Sequence, residues 1–64
     1  MLKWTDAQAL IDETRALHYR GTKYERDVVA RLEAMMPAVL THEDERILII
    51  MYRRAAGGEN VMRG

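Results

Sequence analysis

The densest group of side chains that could do chemistry in this chain is the run His42, Glu43, Asp44 and Glu45. Imidazole and carboxylate groups are common metal ligands, but a helical metal site places its ligands about one turn apart on one face. Four consecutive helical positions point in different directions. We therefore interpret this run as the charged first turn of a helix, and we expect neither a metal ion nor another cofactor.

Residues that act as nucleophiles in enzymes are scarce. The chain contains no cysteine and no serine, and three of its four threonines stand where helix caps are expected. His18 falls on the predicted apolar face of the first helix, where a core position is a simpler interpretation than a general base. A glycine-rich phosphate loop is also missing from the sequence. These observations predict a protein that is not an enzyme.

Lys23, Arg26 and Arg31 are the residues that could contact nucleic acid. They would project from the second of three helices, and the short connection at residues 20–22 is compatible with a helix-turn-helix. Acidic residues alternate with these basic ones, and the acidic start of the third helix would repel phosphates. A small DNA-associated regulator is therefore the alternative to our main functional hypothesis.

Three start signals of one kind divide the chain into helices. Thr5, Thr22 and Thr41 can each cap a helix, with Gln, Glu or Asp three residues later. Gly21 and Pro37 are matching stop signals. The chain is therefore predicted to be all-α, a bundle of three short helices at about 6–20, 23–36 and 42–56.

Apolar residues recur with the helical period in the first two segments. The predicted apolar faces are Ala7, Leu10, Ile11, Thr14, Leu17 and His18 in the first helix and Tyr24, Val28, Val29, Leu32, Met35 and Met36 in the second. Residues 47–52 are apolar at every position, so a buried strand is an alternative there, but the acidic start and basic end favour a helix. We expect one domain at 1–58 and a flexible tail at 59–64.

Length and composition limit the classes of protein that remain. A chain of 64 residues without cysteine forms a marginal core that a partner chain often completes. Ten basic and ten acidic residues give a net charge of zero, which removes a barrier to self-association. We expect a homodimer. Because no segment resembles a membrane span or a signal peptide, we predict a cytoplasmic protein without a membrane partner.

The third predicted helix has a second face outside its core arc. At 100° per residue, one arc of about 140° holds the residues that would pack inward, namely Asp44, Ile47, Leu48, Met51, Tyr52 and Ala55. Ile49 and Ile50 fall outside that arc, with Arg46 and Arg53 between them in projection. Aliphatic residues flanked by arginines suit a protein interface. We predict that these four residues bind either a second copy of the chain or another protein.

The middle of the chain resembles a pattern found in small phage and prophage proteins. That pattern is W-E-R-(D/E)-F-(L/V) followed by L-S-x-x-Q-x-x-x-L-x-x-(I/L)-Y, and the matching residues here are Tyr24 to Val29, Leu40, Thr41, Asp44, Leu48, Met51 and Tyr52. Tyr24, Val28 and Asp44 replace the usual Trp, Phe and Gln. The resemblance implies a phage-encoded protein in the host cytoplasm that binds and inhibits a host protein, such as a defence or nucleic-acid-handling factor.

Overall fold

The computed structural model describes residues 2–58, and most of them belong to three α-helices. Helix α1 spans Trp4–Ala16, α2 spans Lys23–Met35 and α3 spans His42–Ala56. Within residues 2–58 there is no β-strand, only an isolated antiparallel bridge between Lys3 and Val39. The prediction of an all-α chain with three helices is confirmed, and the strand alternative for residues 47–52 is wrong. The predicted tail at 59–64 lies outside the described residues.

Helix α3 is the centre of the bundle, because α1 and α2 both pack against it and make little contact with each other. Two ion pairs link α2 to α3, and each joins the beginning of one helix to the end of the other. Arg31, late in α2, contacts Asp44 at the start of α3, and Arg54 at the end of α3 contacts Glu25 at the start of α2. The two helices are therefore antiparallel.

The start of α1 is tied to the connection between α2 and α3 by backbone hydrogen bonds. The Trp4 amide donates to the Ala38 carbonyl at 3.2 Å, and the Leu40 amide donates to the Leu2 carbonyl at 2.9 Å. These bonds satisfy backbone groups that would otherwise lie unpaired where the two segments meet. Leu40, which donates one of these bonds, is itself buried in the core.

The hydrophobic core surrounds the inner face of α3. Its buried members are Ala7, Ile11, Tyr19, Val28, Val29, Leu32, Leu40, Leu48, Met51 and Ala55. The predicted core arc of α3 is confirmed, since Leu48, Met51 and Ala55 are buried and Ile47 packs against them.

The predicted apolar face of α2 is too wide. Val28, Val29 and Leu32 are buried, but Tyr24, Met35 and Met36 are more than half exposed. Helix α2 packs on α3 along one side and has little contact with α1. Nothing in residues 2–58 therefore covers the edges of its apolar face.

Helix α1 is shifted from the predicted range of 6–20. It begins after Lys3, whose side chain makes no capping bond, so the predicted cap at Thr5 is wrong. It ends at Ala16, and His18 follows with a left-handed φ of 61° and an exposed side chain. The prediction that His18 is a core residue is therefore wrong. The chain leaves the helix here because Tyr19, four residues before the start of α2, folds inward to join the core.

Gly21 does not end α1 as predicted, but its conformation is required. Its φ is +75°, and a Cβ at this position would lie 2.7 Å from Glu25 Oε1 and 3.0 Å from Tyr19 Cε2. Only glycine tolerates both the left-handed backbone and this close approach. Glycine at this position therefore allows the backbone of the connection between α1 and α2 to lie close to the Glu25 side chain.

The cap of α2 matches the sequence prediction. The Glu25 amide donates to Thr22 Oγ1 at 3.1 Å, and the Thr22 amide donates to Glu25 Oε1 at 2.9 Å, which completes a capping box. Thr41 caps α3 in the same way by accepting a hydrogen bond from the Asp44 amide.

Replacing Thr22 with alanine is expected to lower the free energy of unfolding by about 1 kcal/mol, because the Glu25 amide loses its acceptor. Urea denaturation followed by circular dichroism measures this loss. Thr5→Ala is the matched control, since Thr5 lies inside α1 and is exposed. Equal losses for the two variants would contradict the assigned cap.

Candidate functional site

The four predicted interface residues lie together on the side of α3 opposite the core. Arg46, Ile49, Ile50 and Arg53 have the spacing i, i+3, i+4 and i+7, which places them on one helical face. We call this face the outer α3 surface. Both arginines are exposed, and both isoleucines are half-buried. The side chains therefore form a shallow aliphatic centre with a guanidinium at each end.

The two arginines of the outer α3 surface differ from other arginines of the chain. Neither Arg46 nor Arg53 forms a hydrogen bond or an ion pair with another residue in the range 2–58. By contrast, the Arg31 guanidinium donates a hydrogen bond to Asp44 at 2.7 Å, and this bond raises the pKa of Arg31. Unpaired guanidinium groups beside aliphatic side chains keep their donors available for a partner.

The residues of the alternative nucleic-acid hypothesis are each engaged within the protein. Lys23 Nζ lies 3.9 Å from Asp27, and Arg26 donates to the Gly21 carbonyl at 3.0 Å. Arg31 pairs with Asp44, a carboxylate that is itself buried. Arg26 and Arg31 also point about 140° apart around α2. The structure therefore does not bring these three residues together into one basic surface.

The acidic start of α3 has structural partners. Asp44 bridges Thr41 and Arg31, and Glu45 accepts a hydrogen bond from the Leu2 amide at 2.9 Å. In the part of the chain that the structure describes, no three His, Asp or Glu side chains are grouped so that they could hold a metal ion. Likewise, no helix there is long and apolar enough to cross a membrane.

A buried polar cluster surrounds Glu25, and the sequence pattern alone does not predict it. Glu25 is buried, with only 4% of the residue exposed. It accepts hydrogen bonds from the Tyr19 hydroxyl at 2.9 Å, from the Thr22 amide at 2.9 Å and from Arg54 at 3.4 Å. The capping-box pattern places Glu25 beside Thr22, but no local signal predicts Tyr19 or Arg54. This cluster joins α2, α3 and the connection after α1.

Because the cluster contains the Tyr19 hydroxyl, the free energy of unfolding is expected to change with pH in the alkaline range. Burial raises the pKa of the Tyr19 hydroxyl, a hydrogen bond with Arg54 lowers it, and the contact with Glu25 raises it, with a net upward shift. Because the pKa is higher in the folded state, the stabilisation is complete below the unfolded value of about 10 and is lost as the pH rises through the folded value.

We therefore expect the free energy of unfolding to fall between about pH 8 and about pH 11, and to fall less in Tyr19→Phe. Urea denaturation at the two pH values measures the difference. Other basic groups titrate in both proteins and cancel in the comparison. The same alkaline loss in both proteins would contradict this assignment.

Comparison of the chain with protein-family models, with curated proteins and with solved structures finds no match. The resemblance to small phage and prophage proteins therefore stays a prediction. Several of its positions have a structural role here: Thr41 caps α3, Asp44 pairs with Arg31, and Leu48 and Met51 are core residues. A functional proposal therefore depends on the outer α3 surface and its side chains.

Proposed function

We propose that the protein is a small non-enzymatic binding module that uses the outer α3 surface to bind and inhibit a protein partner. The observation that supports this proposal is the pairing of two half-buried isoleucines with two exposed arginines at i, i+3, i+4 and i+7. A helix with this spacing of anchors fits into a groove of another protein. Arginines beside aliphatic anchors are typical of the residues that dominate binding energy.

The charges of this surface favour one kind of partner. Arg46 and Arg53 stand one turn beyond the isoleucines at either end. A groove with an apolar floor and a carboxylate near each end would satisfy both guanidinium groups through charge-assisted hydrogen bonds. We propose that the partner is a protein with such an acidic groove. In line with the phage resemblance, a host defence or nucleic-acid-handling factor in the cytoplasm is the proposed target.

A second copy of the chain is the other candidate for this surface. The net charge of zero and the partly exposed isoleucines favour self-association. However, an antiparallel two-fold contact centred between Ile49 and Ile50 would place Arg46 of one copy opposite Arg53 of the other. Like charges at an interface oppose binding. We therefore favour a different, acidic protein over the homodimer.

The test combines self-association with capture of a partner. Sedimentation equilibrium is expected to give a monomer at micromolar concentration, and immobilised protein is expected to retain a partner from the native host. Ile49→Glu and Ile50→Glu should each weaken that capture at least about tenfold, because each places a charge in the apolar centre of the contact, where it would lose its hydration. Circular dichroism establishes that the variants remain folded.

Lys23→Glu is the matched control for charge, because Lys23 is exposed and lies on α2. It should leave capture unchanged. A wild-type dimer that the isoleucine variants dissociate would favour the second copy. The DNA alternative predicts a gel shift that weakens steeply with salt and that Lys23→Glu reduces, with the isoleucine variants unaffected. That last result would overturn the proposal.

A further inference from the structure

A cleft of about 320 Å³ lies between α1 and α2. It exists because both helices pack on α3 and make little contact with each other. Ile11 lines it from α1, Val29 and Ala30 line it from α2, and Met51, on the inner face of α3, contributes to its floor. The cleft is therefore on a different side of the bundle from the outer α3 surface. We call this feature the α1–α2 cleft.

The volume of the cleft sets the size of a ligand that could fill it. An apolar protein cavity of about 150 Å³ binds one benzene molecule. The α1–α2 cleft, at about 320 Å³, has roughly twice that volume. Binding sites for small molecules have volumes of this order and mainly apolar walls. Two fused aromatic rings therefore match the cleft in size.

The arginines at the edge of the cleft are engaged within the protein. Arg26 donates a hydrogen bond to the Gly21 carbonyl at 3.0 Å, and both Arg20 and Arg26 also interact with other groups of the chain. An anionic ligand would compete with these contacts and would lose its own hydration on entering the cleft. A neutral ligand leaves them in place. The structure therefore favours a neutral molecule over a charged one.

The hydroxyl group inside the cleft is also satisfied. Thr14 lines the cleft from α1 and donates its hydroxyl hydrogen to the Leu10 carbonyl at 2.7 Å. Across residues 2–58, every buried side-chain nitrogen and oxygen has a hydrogen-bond partner. A ligand in the cleft therefore needs no polar group to complete a buried hydrogen bond, and an apolar molecule suffices.

Two flat side chains favour an aromatic ligand over an aliphatic one. Arg15 donates hydrogen bonds to Glu33 from two nitrogens, at 2.7 and 2.8 Å. These bonds lie in the plane of the guanidinium, whereas stacking uses the faces above and below that plane. The pairing with Glu33 thus leaves the faces of Arg15 available to an aromatic ring. The ring of Tyr19, which also lines the cleft, is a second partner for such a ring.

We propose that the α1–α2 cleft binds a neutral molecule of two fused aromatic rings. The rings lie between Ile11 and Val29, with Met51 beneath them and the Arg15 guanidinium against one face. This site is separate from the outer α3 surface, so binding here does not depend on the proposed protein partner.

The experiment is a titration of the isotopically labelled full chain with indole, followed by nuclear magnetic resonance. Saturable shifts are expected at Ile11, Val29 and Ala30, with a Kd on the order of 1 mM for a ligand of this size. Benzene supplies one ring and should bind at least about tenfold more weakly, because it buries less apolar surface. Indole-3-acetate adds a carboxylate to the same rings and should bind no more tightly than indole.

Variants test the space in the cleft and the stacking separately. Ala30→Leu should weaken indole binding at least about tenfold, because the larger side chain occupies the cleft. Ala9→Leu is its control, since Ala9 is exposed on the side of α1 away from Ile11. Arg15→Lys keeps the positive charge beside Glu33 but removes the planar guanidinium, and it should weaken binding about threefold. Arg46→Lys, the same change on the outer α3 surface, should not alter it.

Four results would overturn the proposal. The first is indole-3-acetate binding at least about tenfold more tightly than indole, which would show that the cleft selects an anion. The second is equal affinity for indole and benzene, which would show that the cleft holds a single ring. The third is unchanged indole affinity in both Ala30→Leu and Arg15→Lys. The fourth is the absence of saturable shifts in the cleft, including shifts confined to Ile49, Ile50 and their neighbours.

Discussion

Replacing Glu25 with alanine is expected to lower the free energy of unfolding by about 3 kcal/mol. The carboxylate is buried and accepts hydrogen bonds from the Tyr19 hydroxyl and the Thr22 amide, with Arg54 nearby. Its removal leaves the hydroxyl and the amide without an acceptor, and each unsatisfied buried donor costs roughly 1–3 kcal/mol. Arg54 adds less, because its side chain is 41% exposed and can be hydrated.

Urea denaturation at neutral pH measures this loss, and Glu33→Ala is the matched control. Glu33 is also in α2 and also contacts an arginine, but its side chain is 39% exposed. Removing it should therefore cost less than about 1 kcal/mol. Glu25→Gln should fall between the two, since an amide oxygen still accepts hydrogen bonds but carries no charge. Equal losses for Glu25→Ala and Glu33→Ala would show that the buried cluster does not stabilise the fold.

The helices could be predicted from the sequence wherever the determinants are local. Thr22 and Thr41 cap α2 and α3 through residues three positions later, and this spacing is visible in the chain. The core stripe of α3 follows from its 3.6-residue period in the same way. Local rules failed at α1, where Thr5 has the pattern of a cap but lies inside the helix. There, backbone hydrogen bonds from the connection between α2 and α3 fix the start of the helix instead.

The remaining errors come from contacts between distant parts of the chain. The helical period places His18 in the core only if α1 continues past Ala16, whereas burial of Tyr19 ends the helix and leaves His18 exposed. Partners far apart in the sequence, such as Glu25 and Arg54, leave no periodic signal.

The outer α3 surface and the buried cluster around Glu25 differ in the same respect. The outer α3 surface could be predicted because all four of its residues belong to one helix, and their angles follow from the sequence. The buried cluster around Glu25 could not, because it depends on how α2 and the connection after α1 are placed on α3. The contact of Arg15 with Glu33 joins residues that are 18 positions apart. The sequence does not predict such a pair, because the two side chains meet only when α1 and α2 are both packed on α3.

Replacing Leu48 with glutamate is expected to unfold the chain. Leu48 is 2% exposed on the inner face of α3, so the substitution removes roughly 1.5–3 kcal/mol of apolar burial and adds the cost of a buried charge. A domain of 64 residues has a total stability of only about 3–10 kcal/mol.

Ile50→Glu is the matched control for Leu48→Glu, because it introduces the same side chain two residues later in the same helix. Ile50 lies on the outer α3 surface, where a carboxylate reaches water and stands one turn from Arg46 and Arg53. We expect a loss below about 1 kcal/mol and a helical spectrum like that of the wild type. Circular dichroism with thermal denaturation of both variants measures the difference. If Ile50→Glu unfolds the chain as completely as Leu48→Glu, then Ile50 belongs to the core, and the outer α3 surface is not available to bind a partner.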